Sequence, residues 1–245
     1  MSGAPPHSPP EEVSFETAYG ISLEGVLHLP AGSRADGASA TSGMEAGRGA
    51  MERKPAPGVV VCHPHPGLGG TMRTPLVVRL ALGIAASGRA VLRFNFRGVG
   101  GSGGAQTGGE LEPLDVAAAV GYLRQRLELE HPALAGWSFG SLMALAHART
   151  DPGLSALAVI APPLAAMERP PGIESITIPS LWVVGDRDPY CPPGAIEGMP
   201  GEHCVITGAN HFFWAKEDAL IRTVVAFLDR PRIGRAGDLS GSADR

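Results

Sequence analysis

Cysteine is scarce in this chain of 245 residues, and the three that occur, Cys62, Cys191 and Cys204, are odd in number and form no C-x-x-C pair. That pattern argues against a disulfide framework and against a thiolate metal site. Long apolar runs are missing as well. No stretch approaches the roughly 20 apolar residues needed to span a bilayer, and the Pro-rich residues 1–12 carry no apolar signal core. The net charge of −4 comes without any basic run, so no electrostatic feature points to nucleic acid or to an anionic membrane. These absences leave a cytoplasmic protein acting on small molecules as the expectation.

What is present is an ordinary soluble composition, 44% hydrophobic, in a chain long enough for one α/β domain with a substantial core. Residues 13–18 and 21–29 alternate in polarity around Tyr19-Gly20 and predict a hairpin. Residues 31–57, rich in Gly, Ala and Ser, read as a flexible insertion, and residues 1–12 and 231–245 as disordered ends of a single domain at 13–230. Strands are expected at 58–62, 90–96, 133–136, 157–160, 180–185 and 203–207. Helices are expected at 74–87, with Leu76, Leu80 and Ile84 on one face, and at 115–128, 141–149 and 217–229. Strands alternating with helices imply a mostly parallel sheet covered on both faces, with ligands at the carboxyl ends of the strands.

Four motifs fall at such strand ends. Gly136-Trp137-Ser138-Phe139-Gly140 sits between a strand and a helix, the context of a nucleophile elbow with Ser138 at its apex and the Phe139 N–H as an oxyanion donor. Gly185-Asp186-Arg187-Asp188 follows a strand and offers a carboxylate able to orient an imidazole. Asp188, further out and before Pro189, is the stronger candidate, while Asp186 suits the turn backbone. His211 lies on a loop after the last strand, where its ring could reach between a hydroxyl and a carboxylate. In His63-Pro64-His65-Pro66-Gly67-Leu68 the prolines have no N–H, so a second oxyanion donor would come from His63, His65, Gly67 or Leu68. Position favours His65, with Leu68 in reserve. A His63/His65 metal pair is the rival reading, and it lacks a third ligand nearby.

Two further matches are rejected. Residues 100–104 also fit G-x-S-x-G and residues 98–103 fit G-x-G-x-x-G, yet neither opens a helix, because residues 105–109 intervene. One Gly-rich loop explains both.

Cys62-His63-Pro64-His65-Pro66 with Gly69-Gly70-Thr71-Met72, then Leu92-Arg93-Phe94-Asn95-Phe96-Arg97-Gly98-Val99-Gly100 with Ser102, then the elbow, Asp188 and His211, together resemble the α/β-hydrolase superfamily, and within it small lidless bacterial serine hydrolases. The resemblance implies an α/β-hydrolase fold and carboxylesterase-like chemistry, with Ser138, His211 and Asp188 as the triad and no cofactor or metal. An acyl-thioesterase or a small-peptide or amide hydrolase of the same fold is the alternative, and a non-catalytic binding protein the rival class. The long 31–57 segment is the one departure from the pattern. Between residues 160 and 180 there is room for a loop but hardly for a cap, so small acyl esters or thioesters are the expected substrates. Trp137, Pro163, Leu164, Met167, Tyr190, Phe212 and Phe213 are the candidates for an apolar pocket lining.

Overall fold

The computed structural model describes residues 9–30 and 57–230. The expected 31–57 insertion, apart from Pro57, lies outside the described residues, as do residues 1–8 and the expected tail. Strands β1 (Glu11–Glu16) and β2 (Ser22–His28) form the expected hairpin, Glu11 opposite Leu27. The first strand therefore starts two residues before the expected position 13. Glu11 and Glu12 are held by ladder pairing, and Arg126 reaches the Glu11 carboxylate at 3.3 Å.

Strands β3 (Gly58–Cys62), β4 (Ala90–Phe94), β5 (Ala133–Trp137), β6 (Leu157–Ile160) and β7 (Ser180–Gly185) are buried along their whole length. Their near-continuous apolar runs are what a parallel strand covered on both faces requires. With β8 (Glu202–Ile206) they complete an eight-stranded sheet of order β1-β2-β4-β3-β5-β6-β7-β8, antiparallel only at β1–β2 and β2–β4.

Two cores flank this sheet. On one face α2 (Glu112–Leu127) and α3 (Phe139–Ala148) pack together, burying Val116, Val120, Leu123, Leu142 and Leu145. On the other, α1 (Pro75–Ala86) meets α4 (Glu217–Leu228) through Leu76, Leu80, Ile84, Leu220, Val224 and Phe227. The connection from β6 to β7 holds one short 3₁₀ turn, Ile173–Ser175, and no cap domain. The carboxyl ends of β3, β5, β7 and β8 all open on one edge, where the four motifs meet.

Candidate active site

Ser138 leaves β5 with φ 55° and ψ −124°, and α3 begins at the next residue. A non-glycine residue rarely holds such a backbone, and it does so here because its neighbours leave no alternative. A Cβ on Gly136 would lie 2.3 Å from the Gly140 carbonyl oxygen, and one on Gly140 would lie 2.5 Å from the carbonyl oxygens of Cys62 and His63. Both glycines are thus required by close backbone approach, and the strand can turn straight into the helix. The Ser138 N–H donates to the Ile160 carbonyl at 2.9 Å, tying the apex to β6.

The three predicted side chains come together. His211 Nε2 is 3.0 Å from Ser138 Oγ, and His211 Nδ1 is 2.8 Å from Asp188 Oδ2. A carboxylate only accepts, so Nδ1 carries the proton and Nε2 is left to accept from the serine hydroxyl. Asp188 is 3% exposed, and its other oxygen accepts the N–H groups of Tyr190 (2.8 Å) and Cys191 (3.1 Å). That arrangement fixes the carboxylate plane. Asp186 is spent differently, accepting the Gly208 N–H at 2.7 Å, which is the turn role expected for it.

The imidazole is also held through its own backbone. Trp137 Nε1 donates to the His211 carbonyl at 3.1 Å, and Asn210 Oδ1 accepts the N–H groups of Phe212 (3.0 Å) and Trp214 (3.3 Å). The first contact could not be read from the sequence, although Trp137 stands inside the elbow motif.

The loop at residues 63–68 uses up two of the N–H groups considered above. The Leu68 N–H donates to the His65 carbonyl at 3.1 Å and the Gly67 N–H to His65 Nδ1 at 3.0 Å, so both are consumed inside the loop. Leu68 is therefore withdrawn as reserve donor: the turn at Pro66–Leu68 folds its N–H inward. His65 remains the favoured donor, and its ring stands 5.0 Å from that of Phe139. The Phe139 N–H, in the first turn of α3, has no carbonyl within the helix to bond.

His63 is a strut of this loop. Its Nε2 accepts the Phe96 N–H at 3.1 Å, so Nδ1 is protonated and donates to the Pro64 carbonyl at 2.7 Å. Both ring nitrogens are engaged, which removes the His63/His65 metal pair as a reading of the motif. Burial pushes this imidazole down to about 4, against the opposing pull of the Pro64 carbonyl. The segment after the loop is pinned at both ends of Met72: Asn95 Oδ1 accepts its N–H at 2.7 Å and Arg93 Nη1 donates to its carbonyl at 2.9 Å. Ser102, the serine of the rejected motif, is 7% exposed, donates to the Asn95 carbonyl and accepts the Glu24 N–H. Its hydroxyl is a brace between loop and strand. Cys191, close to Asp188, is fully buried, and burial with the Asp188 charge beside it pushes its thiol up to about 12, which makes it a poor nucleophile.

The seven candidate pocket residues divide. Tyr190 and Phe212 flank the His211 ring and reach solvent. Leu164 and Met167 instead line a cavity of about 500 Å³ with Ala195 and Met199, between the loop after β6 and the turn after β7. Phe213 lines neither: it is fully buried in the core under α4, because its φ of 54° swings it away from its neighbour Phe212. Trp137, 4% exposed, packs the elbow against the His211 loop, and Pro163 is buried in the turn that begins the connection.

Comparison with known proteins bears on the fold. A family model for the alpha/beta hydrolase fold matches residues 58–172. An uncharacterized protein of Rickettsia prowazekii is 28% identical over 197 residues, 74% of this chain and 83% of that protein. An alpha-beta serine hydrolase homologue from Coxiella burnetii superposes with a TM-score of 0.71 at 28% identity, covering 89% of this chain and 97% of the other. A serine hydrolase without a lid from Xanthomonas campestris gives a TM-score of 0.71 at 24% identity, over 90% and 94% of the two chains. The chain has the α/β-hydrolase fold and is similar to an alpha-beta serine hydrolase homologue of that fold.

Proposed function

We propose that the protein is a serine hydrolase cleaving small acyl esters, a carboxylesterase-like enzyme working through Ser138, His211 and Asp188. The observation that carries this reading is the unbroken relay from Asp188 Oδ2 through His211 to Ser138 Oγ, at 2.8 and 3.0 Å, on a serine whose backbone is turned outward at φ 55°.

The reaction follows from the bonds in place. As Ser138 Oγ attacks the ester carbonyl, its proton passes to His211 Nε2, and Asp188 stabilises the imidazolium that forms. The carbonyl electrons move onto oxygen, where the Phe139 and His65 N–H groups receive the charge, an effect worth about 3–4 kcal/mol per donor. When the carbon–oxygen bond to the alcohol breaks, His211 gives the proton to the departing oxygen. Water, deprotonated by the same nitrogen, then releases the acid and regenerates Ser138. No step calls on a metal or an organic cofactor.

Labelling by a fluorophosphonate probe tests the assignment. Wild type and Ser138→Asn are compared with Ser102→Ala: the probe should modify wild type and Ser102→Ala and leave Ser138→Asn unmodified. Undiminished labelling of Ser138→Asn would place the nucleophile elsewhere.

A further inference from the structure

Two partly exposed aromatic rings stand against the imidazole that would protonate the departing alcohol. The Tyr190 ring centre is 4.8 Å from that of His211 and the Phe212 ring centre 5.5 Å, both edge to face. Phe212 is stacked on Trp214 at 5.1 Å. Tyr190 is 46% exposed, Phe212 42% and Trp214 67%. One exposed aromatic needs no explanation, but two against a reactive ring, with a third stacked on one of them, leave an unusual amount of aromatic surface in water beside the site. Their backbones are fixed by the site itself, Tyr190 through Asp188 and the other two through Asn210.

The direction of proton delivery says which part of a substrate would meet them. His211 Nε2 faces Ser138 Oγ, and in the collapse of the tetrahedral intermediate the same nitrogen must reach the leaving oxygen. The alcohol portion therefore lies on the His211 side, beside Tyr190 and Phe212. The cavity lined by Leu164 and Met167 is built on other loops.

We propose that Tyr190 and Phe212, backed by Trp214, form a leaving-group subsite that selects esters of flat aromatic alcohols. The inference rests on the serine-esterase reading above and adds to it the class of alcohol. Attack forms the Ser138 Oγ–carbon bond and breaks the carbon–oxygen bond to the aryl group. The serine proton, carried by His211, ends on the aryl oxygen, giving a phenol and an acyl-enzyme. The aromatic rings contribute by offset or edge-to-face contact with the departing ring, which goes beyond simple area burial.

The test holds the acyl group constant and changes the alcohol. Phenyl acetate is compared with the acetate of a fluorinated aliphatic alcohol about as acidic as phenol, with acylation and deacylation separated by rapid kinetics. Wild type should favour the phenyl ester. Phe212→Ala and Tyr190→Ala should each lower kcat/KM for phenyl acetate about fivefold and for the fluoroalkyl ester less than about twofold. Deacylation of the shared acetyl-enzyme should be unchanged, since the alcohol has already gone, and Phe212→Trp should restore the aryl preference. If an alanine variant fails to fold, Phe212→Leu and Tyr190→Leu keep bulk without a flat ring and carry the same expectation. Equal losses on both esters, or a loss confined to deacylation, would overturn the subsite and leave these residues as supports of His211. Wild-type hydrolysis of both esters without aryl preference would overturn the subsite alone, whereas hydrolysis of neither would overturn the esterase reading with it.

Discussion

Ser138 and Ser102 share a motif but not an environment, and substitution should separate them. Ser138→Ala removes the proposed attacking oxygen and should lower kcat for ester hydrolysis by several orders of magnitude, as loss of a nucleophile does. Ser102→Ala instead leaves the Glu24 N–H and the Asn95 carbonyl without their partner, at a cost of about 1–3 kcal/mol of stability. That should appear as a Tm lowered by roughly 2–4 °C per kcal/mol, with most of the activity kept. A dead but fully stable Ser102→Ala would reverse the two roles. At His63 the expected signature is a pH slope. Its folded value of about 4 lies below the ordinary 6.5, so between these values the unfolded chain binds a proton that the native ring refuses. Stability from this residue is therefore complete above about pH 6.5, falls as the pH drops toward 4, and levels off below that, a loss of up to about 3 kcal/mol. His63→Asn should be less stable than wild type at pH 7, and the gap should narrow in denaturant titrations at pH 5. A gap that stays constant with pH would show that the ring is not held neutral.

At the scale of elements, the elbow is the joint with least tolerance. Gly140→Ala sets a methyl against the carbonyl oxygens of Cys62 and His63, backbone atoms that cannot give way separately. Displacing them should cost about 1–3 kcal/mol, as overpacking does. Because those carbonyls belong to the start of the loop proposed to hold the oxyanion, kcat should fall more than KM rises, and steady-state kinetics on the purified variant would read that split. The same elements show what a sequence can carry. Apolar runs placed β3, β6 and β7 to the residue, because strands covered on both faces are apolar almost throughout, Ser180 at the start of β7 being the one polar position. Element ends set by side chains were less legible. Strand β4 stops at Phe94, short of the expected 96, because Asn95 and Phe96 turn their groups to Met72 and His63. Helix α2 starts at Glu112, ahead of the expected 115, where the Glu112 carboxylate gathers the Thr107 and Gly109 N–H groups. In the candidate site, the order Ser138, Asp188, His211 could be read from motifs at successive strand ends. The choice between His65 and Leu68, or between Phe212 and Phe213, could not, since each turns on local backbone angles that adjacent residues do not share.

The whole molecule sets how much of an acyl chain can be covered. The β6–β7 connection, where a cap would have to be inserted, contains only loop and the turn at Ile173–Ser175, so among the described residues this connection lays no second layer over the carboxyl edge of the sheet. Ser138 and His211 are themselves 8% and 6% exposed, while Leu68 and Trp214 nearby on the oxyanion and His211 loops are 88% and 67% exposed. Such an edge grips a substrate at its reacting end and leaves its far end in water. Each methylene adds about 0.8 kcal/mol of binding only while protein surface is there to cover it. The gain in kcat/KM along a series of p-nitrophenyl esters should therefore run out within a few carbons, with a maximum between acetate and hexanoate and a fall by dodecanoate. The series must be measured below the aggregation limit of each ester, so that the longer substrates are presented as monomers. A steady climb through dodecanoate would mean that a chain-length tunnel exists and that the open edge is not what the acyl group meets. A maximum at short chains would instead show that protein surface covers only the first few carbons of the acyl chain.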